Sequence, residues 1–192
     1  MTEVVLIVGA GEGLSASLAR RFAREGARIV LAARTPAKLH AVATDTRAHV
    51  VRCDATVPTD VAALFAECDA GPGAPDVVVY NASGRLRGPF VDLQPEAVRQ
   101  ALEVSAYGGF LVAQAAAKRM LRNGRGTILL TGASASVKGY AQSAPFAMGK
   151  FALRGLAQSM ARELAPKNIH VARQPRNAWT WEVELRPWVE RF

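Results

Sequence analysis

Cysteine is nearly absent. Cys53 and Cys68 are the only two in 192 residues, too few for a disulfide framework, and a reducing cytoplasmic setting is the expectation. Histidine is scarce as well, and no group of His, Cys, Asp and Glu has the spacing of metal ligands, so no metal is expected. Long apolar runs are missing: Val4 to Val8 and Asp76 to Tyr80 are strand-length, far short of a bilayer span, so no membrane partner is expected. No basic segment followed by an apolar stretch precedes the first of these runs, and no signal peptide is expected. Acidic residues are the minority, 16 against 24 Lys and Arg, for a formal charge of +8. That excess can mark a nucleic-acid partner. Here the arginines are scattered among alanines, without aromatic interleaving or a dense basic block, so a solvated surface is the simpler reading and no nucleic acid is expected.

What is present is a regular alternation. Half the residues are hydrophobic, enough for a substantial core in one domain. Apolar runs at Val4 to Val8, Arg28 to Ala32, His49 to Cys53, Asp76 to Tyr80, Thr127 to Thr131 and Ile169 to Ala172 read as strands. Between them lie helical patterns. Leu14, Leu18, Phe22 and Ala23 recur at helical spacing up to Gly26, and Thr35-Pro36 supplies an N-cap and first-turn proline for a second helix. Pro58 to Cys68 is a third helix, Pro95 to about Leu121 a long one, and Ser143 to Leu164 another; Tyr107 falls inside the first of these long helices and is expected in the core. Strands alternating with helices imply βαβ crossovers, hence an α/β fold with a doubly wound parallel sheet and helices on both faces. Such sheets bind ligands beyond the carboxyl ends of their strands, which directs attention to the loops there.

The first such loop is Gly9-Ala10-Gly11-Glu12-Gly13-Leu14-Ser15. Glycines permit a tight turn and let backbone N–H groups approach a diphosphate at a helix N-terminus, where the helix dipole favours negative charge. A tight turn with no ligand is the plainer alternative. Gly-x-Gly-x-x-Gly does not fit, because Leu14 takes the last glycine position, whereas Gly9-x-x-x-Gly13-x-Ser15 fits with serine for the final glycine. In this form the loop resembles the glycine motif of the short-chain dehydrogenase/reductase family. Ala33-Arg34 after the second strand, Cys53-Asp54-Ala55 after the third and Tyr80-Asn81-Ala82-Ser83-Gly84 after the fourth extend the resemblance through about residue 172.

The resemblance implies a Rossmann-type dinucleotide-binding domain over residues 1–172. It makes Gly9, Gly11, Gly13, Leu14, Arg34, Asp54, Ala55, Asn81, Ala82 and Lys150 the expected cofactor-binding residues. NADP is favoured over NAD. The acidic residue of NAD-preferring members is replaced by Ala33, and Arg34 offers a guanidinium for a 2′-phosphate. Asp54 stands where the family's aspartate contacts adenine; the alternative is an Asx turn.

Family members exchange a proton through a Tyr-x-x-x-Lys pair on one helix face, with a serine orienting the substrate oxygen. Here the pair reads Phe146-Ala147-Met148-Gly149-Lys150, so the lysine is present and the phenol is not. The serine spacing lands on Ala133, beside Ser134, and Ser105 occupies the place of a supporting asparagine. Lys150, Ser134 and Tyr140 are therefore the catalytic candidates, while loop and packing roles compete for the last two, and His170 reads as structural. The implied activity is hydride transfer between NADP(H) and a small carbonyl or alcohol, in a homo-oligomer joined by the two long helices. The competing expectations are a catalytically silent NADP-binding or partner protein, and a truncated product of such an enzyme. The last arises because residues 173–192 lack the family's Pro-Gly loop and change composition abruptly, with Trp179, Trp181 and Trp188 clustered there. A divergent ending and an altered reading frame both remain open. Alternation of Trp179, Trp181, Val183 and Leu185 with polar residues suggests a strand in that tail.

Overall fold

The computed structural model describes residues 2–171. The expected tail strand and the boundary between domain and tail lie outside them. Six strands form one sheet: β1 (Val4–Val8), β2 (Arg28–Ala33), β3 (His49–Arg52), β4 (Val77–Tyr80), β5 (Gly126–Leu130) and β6 (Ile169–His170). The order is β3-β2-β1-β4-β5-β6, and every pairing is parallel. The chain reverses its direction of travel across the sheet between β1 and β4, which creates a crevice at their carboxyl ends.

Strand β1 shows why its sequence has no polar face. Val4, Leu6 and Val8 pack into one core cluster, and Val5 and Ile7 into another on the opposite side. The second cluster is closed by α1 (Leu14–Arg24), through Ala16, Ala19 and Phe22, and by α2 (His40–Thr46), through Val42. The first is closed by α3 (Pro58–Ala70), through Leu64 and Phe65, and by α5 (Gly108–Asn123), through Val112, Ala116 and Met120. Leu153 and Leu164 of α6 (Ala144–Leu164) join it. Truncating a side chain such as Ile7, with no exposed surface, is expected to cost about 2–5 kcal/mol because both transfer energy and packing are lost.

Two local expectations are corrected. Thr35 stands at the N-cap with Pro36 in the first turn, as expected, but the turn they open is a 3-10 turn (Pro36–Leu39) and the Thr35 side chain makes no cap bond; Lys38 N–H reaches the Thr35 carbonyl at 3.3 Å. The long helix after Pro95 is also not continuous: α4 (Pro95–Leu102) passes into a π-helical turn at Glu103–Tyr107 before α5. A π turn inserts an extra residue and rotates the following side chains around the axis. Tyr107, expected in the core, consequently lies 46% exposed, its ring 6.4 Å from that of Phe110.

The turn has visible partners. The fully buried Tyr80 donates its hydroxyl to the Val104 carbonyl, and Ser105 accepts the Gly84 N–H at 2.9 Å. A Cβ at Gly108 would stand 2.6 Å from the Tyr80 hydroxyl, so glycine makes room for the phenol.

Candidate active site

At the carboxyl ends of β1 to β4 lies a cavity of about 760 Å3, a size ordinary for a small-molecule site. Gly9, Gly11, Arg34, Asp54, Ala55, Asn81 and Ala82 all line it. These residues are scattered over 74 positions of sequence from Gly9 to Ala82 and are gathered by strand order. Gly13 and Leu14 fall outside the lining, as the N-cap and first residue of α1, and Leu14 is 52% exposed.

Gly9 is fixed by two constraints. Its φ is +78°, and a Cβ there would sit 2.3 Å from the Ala82 backbone nitrogen. The glycine loop and the loop after β4 are thus in direct backbone contact. Gly11 and Gly13, by contrast, face open space: nothing lies within 4 Å of a Cβ built on either. That combination leaves a cradle free of side chains at the start of α1, where N–H groups of the first turn lack intrahelical partners. Ser15, in place of the family's final glycine, is buried and cross-links the two loops. It accepts a hydrogen bond from Asn81 Nδ2 at 2.8 Å and donates to the Gly9 carbonyl at 3.3 Å.

Asp54 forms the Asx turn: its Oδ1 accepts the Thr56 N–H at 3.0 Å and the Thr56 hydroxyl at 2.7 Å. Burial pushes the carboxyl upward, but those bonds, with the Arg34 and Arg52 guanidiniums, outweigh it and hold the group below its ordinary range. The carboxylate is therefore charged at the cavity wall near Arg34.

Several lining residues escaped sequence reasoning. Thr35 and Lys38 stand beside Arg34, and Ser83 and Arg85 continue the wall beyond Ala82. The Ser83 hydroxyl is buried and has no hydrogen-bond partner among the described residues. Its position beside Asn81 and Ala82 in the stretch after the fourth strand was the available signal. Lys38, in a helix-like stretch, carried none.

The catalytic candidates are dispersed. None of Lys150, Ser134 and Tyr140 lines the cavity. Lys150 lies on α6, only 3% exposed, and donates to the Thr131 carbonyl at 2.7 Å. It is brought inward by Gly149, where a Cβ would meet Ser105 Cβ at 2.6 Å, so α6 packs directly on the π turn. Burial, followed by the Arg85 charge, lowers the Lys150 ammonium to about 8. Ser134 opens a 3-10 turn (Ser134–Ser136) and is half-buried, while Tyr140 is 41% exposed with the Lys138 ammonium 5.0 Å from its ring centre. Phe146 is flanked by Arg85, 5.4 Å from its ring centre, and by Lys150, at 5.7 Å. Arg85 is the link between the cavity and this helix.

Among the described residues no group of three or more His, Cys, Asp or Glu is placed to hold a metal ion, and no helix is long and apolar enough to cross a membrane. The sequence matches the family model described as short chain dehydrogenase over residues 3–174. It is 29% identical to the L-fucose dehydrogenase of Oryctolagus cuniculus over 93% of this chain and 63% of that protein. Identity to the 7alpha-hydroxysteroid dehydrogenase of Escherichia coli is 32%, over 86% of this chain and 67% of the relative. The chain thus spans roughly two thirds of the length of these curated relatives. A crystal structure of a short-chain dehydrogenase from Rhodopseudomonas palustris superposes with a TM-score of 0.90 at 33% identity, covering 97% of this chain and 99% of the other.

Proposed function

The chain belongs to the short-chain dehydrogenase family, and on that premise we propose that it is an NADP(H)-dependent oxidoreductase interconverting a small carbonyl compound and its alcohol. The carrying observation is the gathering of Gly9, Arg34, Asp54, Asn81 and Ala82 on one cavity, with a side-chain-free cradle at the start of α1. The residues present fit a dinucleotide. Gly9, Gly11 and Gly13, with Leu14, hold the diphosphate against the helix N-terminus. Asp54 and Ala55 border the adenine, Asn81 and Ala82 lie along the middle of the cofactor, and Lys150 holds a nicotinamide-ribose hydroxyl. Arg34, unmatched by any acid at the end of β2, grips the 2′-phosphate. When bound, the nicotinamide supplies the hydride acceptor or donor.

The proton has to come from elsewhere than residue 146, since phenylalanine has none to give. Lys150 is the proton-carrying side chain we assign: it spends one N–H on Thr131, and its ammonium, lowered to about 8, releases a proton near neutral pH. Ser134 and Tyr140 serve as a polar loop flanking α6. We place the protein in the cytoplasm, as a homo-oligomer whose contact uses α4, α5 and α6; the exposed Tyr107, Phe110, Met148 and Phe151 on α6 and on the segment from the π turn into α5 favour such a contact.

Titration of purified protein with NADPH and NADH tests the central reading. NADPH is expected to bind more tightly, and Arg34→Ala to erase the difference; absence of any binding by either nucleotide refutes it. A second reading, a silent NADP-binding protein, is favoured by Phe146 itself. Phe146→Tyr separates the two. If the native chain turns over no alcohol or carbonyl and the tyrosine variant gains a turnover on the order of a hundredfold above background, the native protein is the silent binder.

A further inference from the structure

Arg85 has the features of a ligand-binding arginine with no ligand partner supplied by the fold. It follows Gly84, where a Cβ would lie 2.5 Å from the Ala101 backbone, so its main chain is pinned against α4. Its side chain lines the cavity and lies over the Phe146 ring, whose centre is also 5.7 Å from the Lys150 ammonium. Two cations therefore converge on one ring. The arginines that form ion pairs, such as Arg20 with Asp45 and Arg119 with Asp69, do so on outer surfaces. Among the described residues no carboxylate pairs with Arg85 or with Lys150. Two positions earlier on the same wall, the buried Ser83 hydroxyl also has no partner among the described residues.

We propose that this end of the cavity is an anion subsite, and that the substrate is a carbonyl or hydroxyl compound bearing a carboxylate held by Arg85. The assignment rests on the hydride-transfer reading above and names the substrate class for the same cavity. A planar guanidinium presents paired N–H donors that match the two oxygens of a carboxylate, and the Ser83 hydroxyl adds a further donor. Lys150, 5.7 Å from the ring centre and outside the cavity lining, contributes charge without occupying the space. Phe146, whose ring the guanidinium overlies, offers no oxygen of its own to compete for Arg85. Arg34 and Lys38 follow β2 at the other end of the same lining, so recognition of a nucleotide phosphate and of a substrate carboxylate are assigned to separate arginines.

Calorimetric titration of the NADP+-saturated chain with lactate and β-hydroxybutyrate, each against its neutral amide, reads the subsite directly. Each acid is expected to bind at least about tenfold more tightly than its amide, the effect of one charge-assisted hydrogen-bonded pair. Arg85→Gln is expected to remove that preference, Arg85→Lys to keep part of it, and both to leave NADPH affinity within about twofold. The proposal is overturned if acid and amide bind alike or not at all, if Arg85→Gln weakens both equally, or if it weakens NADPH instead. Separate NADPH titration of the native chain tells the two failures apart. Loss of nucleotide binding sinks the oxidoreductase reading, and the same acid and amide titrations on the nucleotide-free chain then decide the subsite.

Discussion

The two ends of this molecule obey different rules. At the β1 to β4 end, residues from four separate loops converge on one cavity, whose glycine, asparagine and aspartate are the groups our proposal assigns to a dinucleotide. At the β5 to α6 end, the lysine is buried, the phenol is replaced by Phe146, and Ser134 and Tyr140 stand away from the cavity. The difference teaches that binding and chemistry are separable in such a fold. The first depends on backbone geometry that strand order enforces. The second depends on a few side-chain atoms that substitution can remove without disturbing the sheet.

The comparison breaks most sharply at Gly9. Gly9→Val meets both a φ of +78° and a 2.3 Å approach to Ala82, so a loss of about 3 kcal/mol or more is expected, with loss of nucleotide binding. Gly13→Ala, with open space around its Cβ, should melt within a few degrees of the native chain; equal damage from the two would undo the account of the loop.

Lys150→Met probes the other end. Burial lowers the folded pKa to about 8 from an ordinary 10.5. Between those values the unfolded chain holds more protons than the folded one, so stability rises with pH across that window and the cost of the buried ammonium is complete below pH 8. That cost is about 3 kcal/mol, offset by roughly 1 kcal/mol for the bond to Thr131, so Lys150→Met should stabilise by about 2 kcal/mol at pH 7 while abolishing turnover. Melting curves at pH 7 and pH 10 check it: the gain should shrink at the higher pH, and a destabilised variant at pH 7 contradicts the argument.

Smaller effects sharpen the contrast. Arg34→Ala is expected to weaken NADPH by about tenfold and leave NADH nearly unchanged, measured by fluorescence titration. Tyr80→Phe removes the hydroxyl that meets the Val104 carbonyl in the π turn, and a loss of about 1 kcal/mol is expected in denaturant unfolding. An unchanged midpoint would show that the π turn stands without it.

How much was legible follows from the kind of signal. Strands β1 to β5 were visible to within a residue or two, because burial on both faces requires unbroken apolar runs such as Val77–Tyr80. Gly26, with φ of +86° just after α1, was equally plain as a helix stop. Tyr80 was read only as the end of the fourth strand, and its hydroxyl partner lies 24 positions away on a π turn that no periodicity announces. The register shift of that turn is also what moved Tyr107 outward.

Sequence alone determined the alternation of strands and helices, the glycine turn after β1 and the absence of a phenol at residue 146, because each is a property of local chemistry or of spacing along one element. Tertiary structure decided that Ser15 ties Asn81 to Gly9, that Lys150 is buried, and that Arg85 lies over Phe146. Those depend on which loops the parallel sheet brings side by side, and distance along the chain carries no record of that proximity.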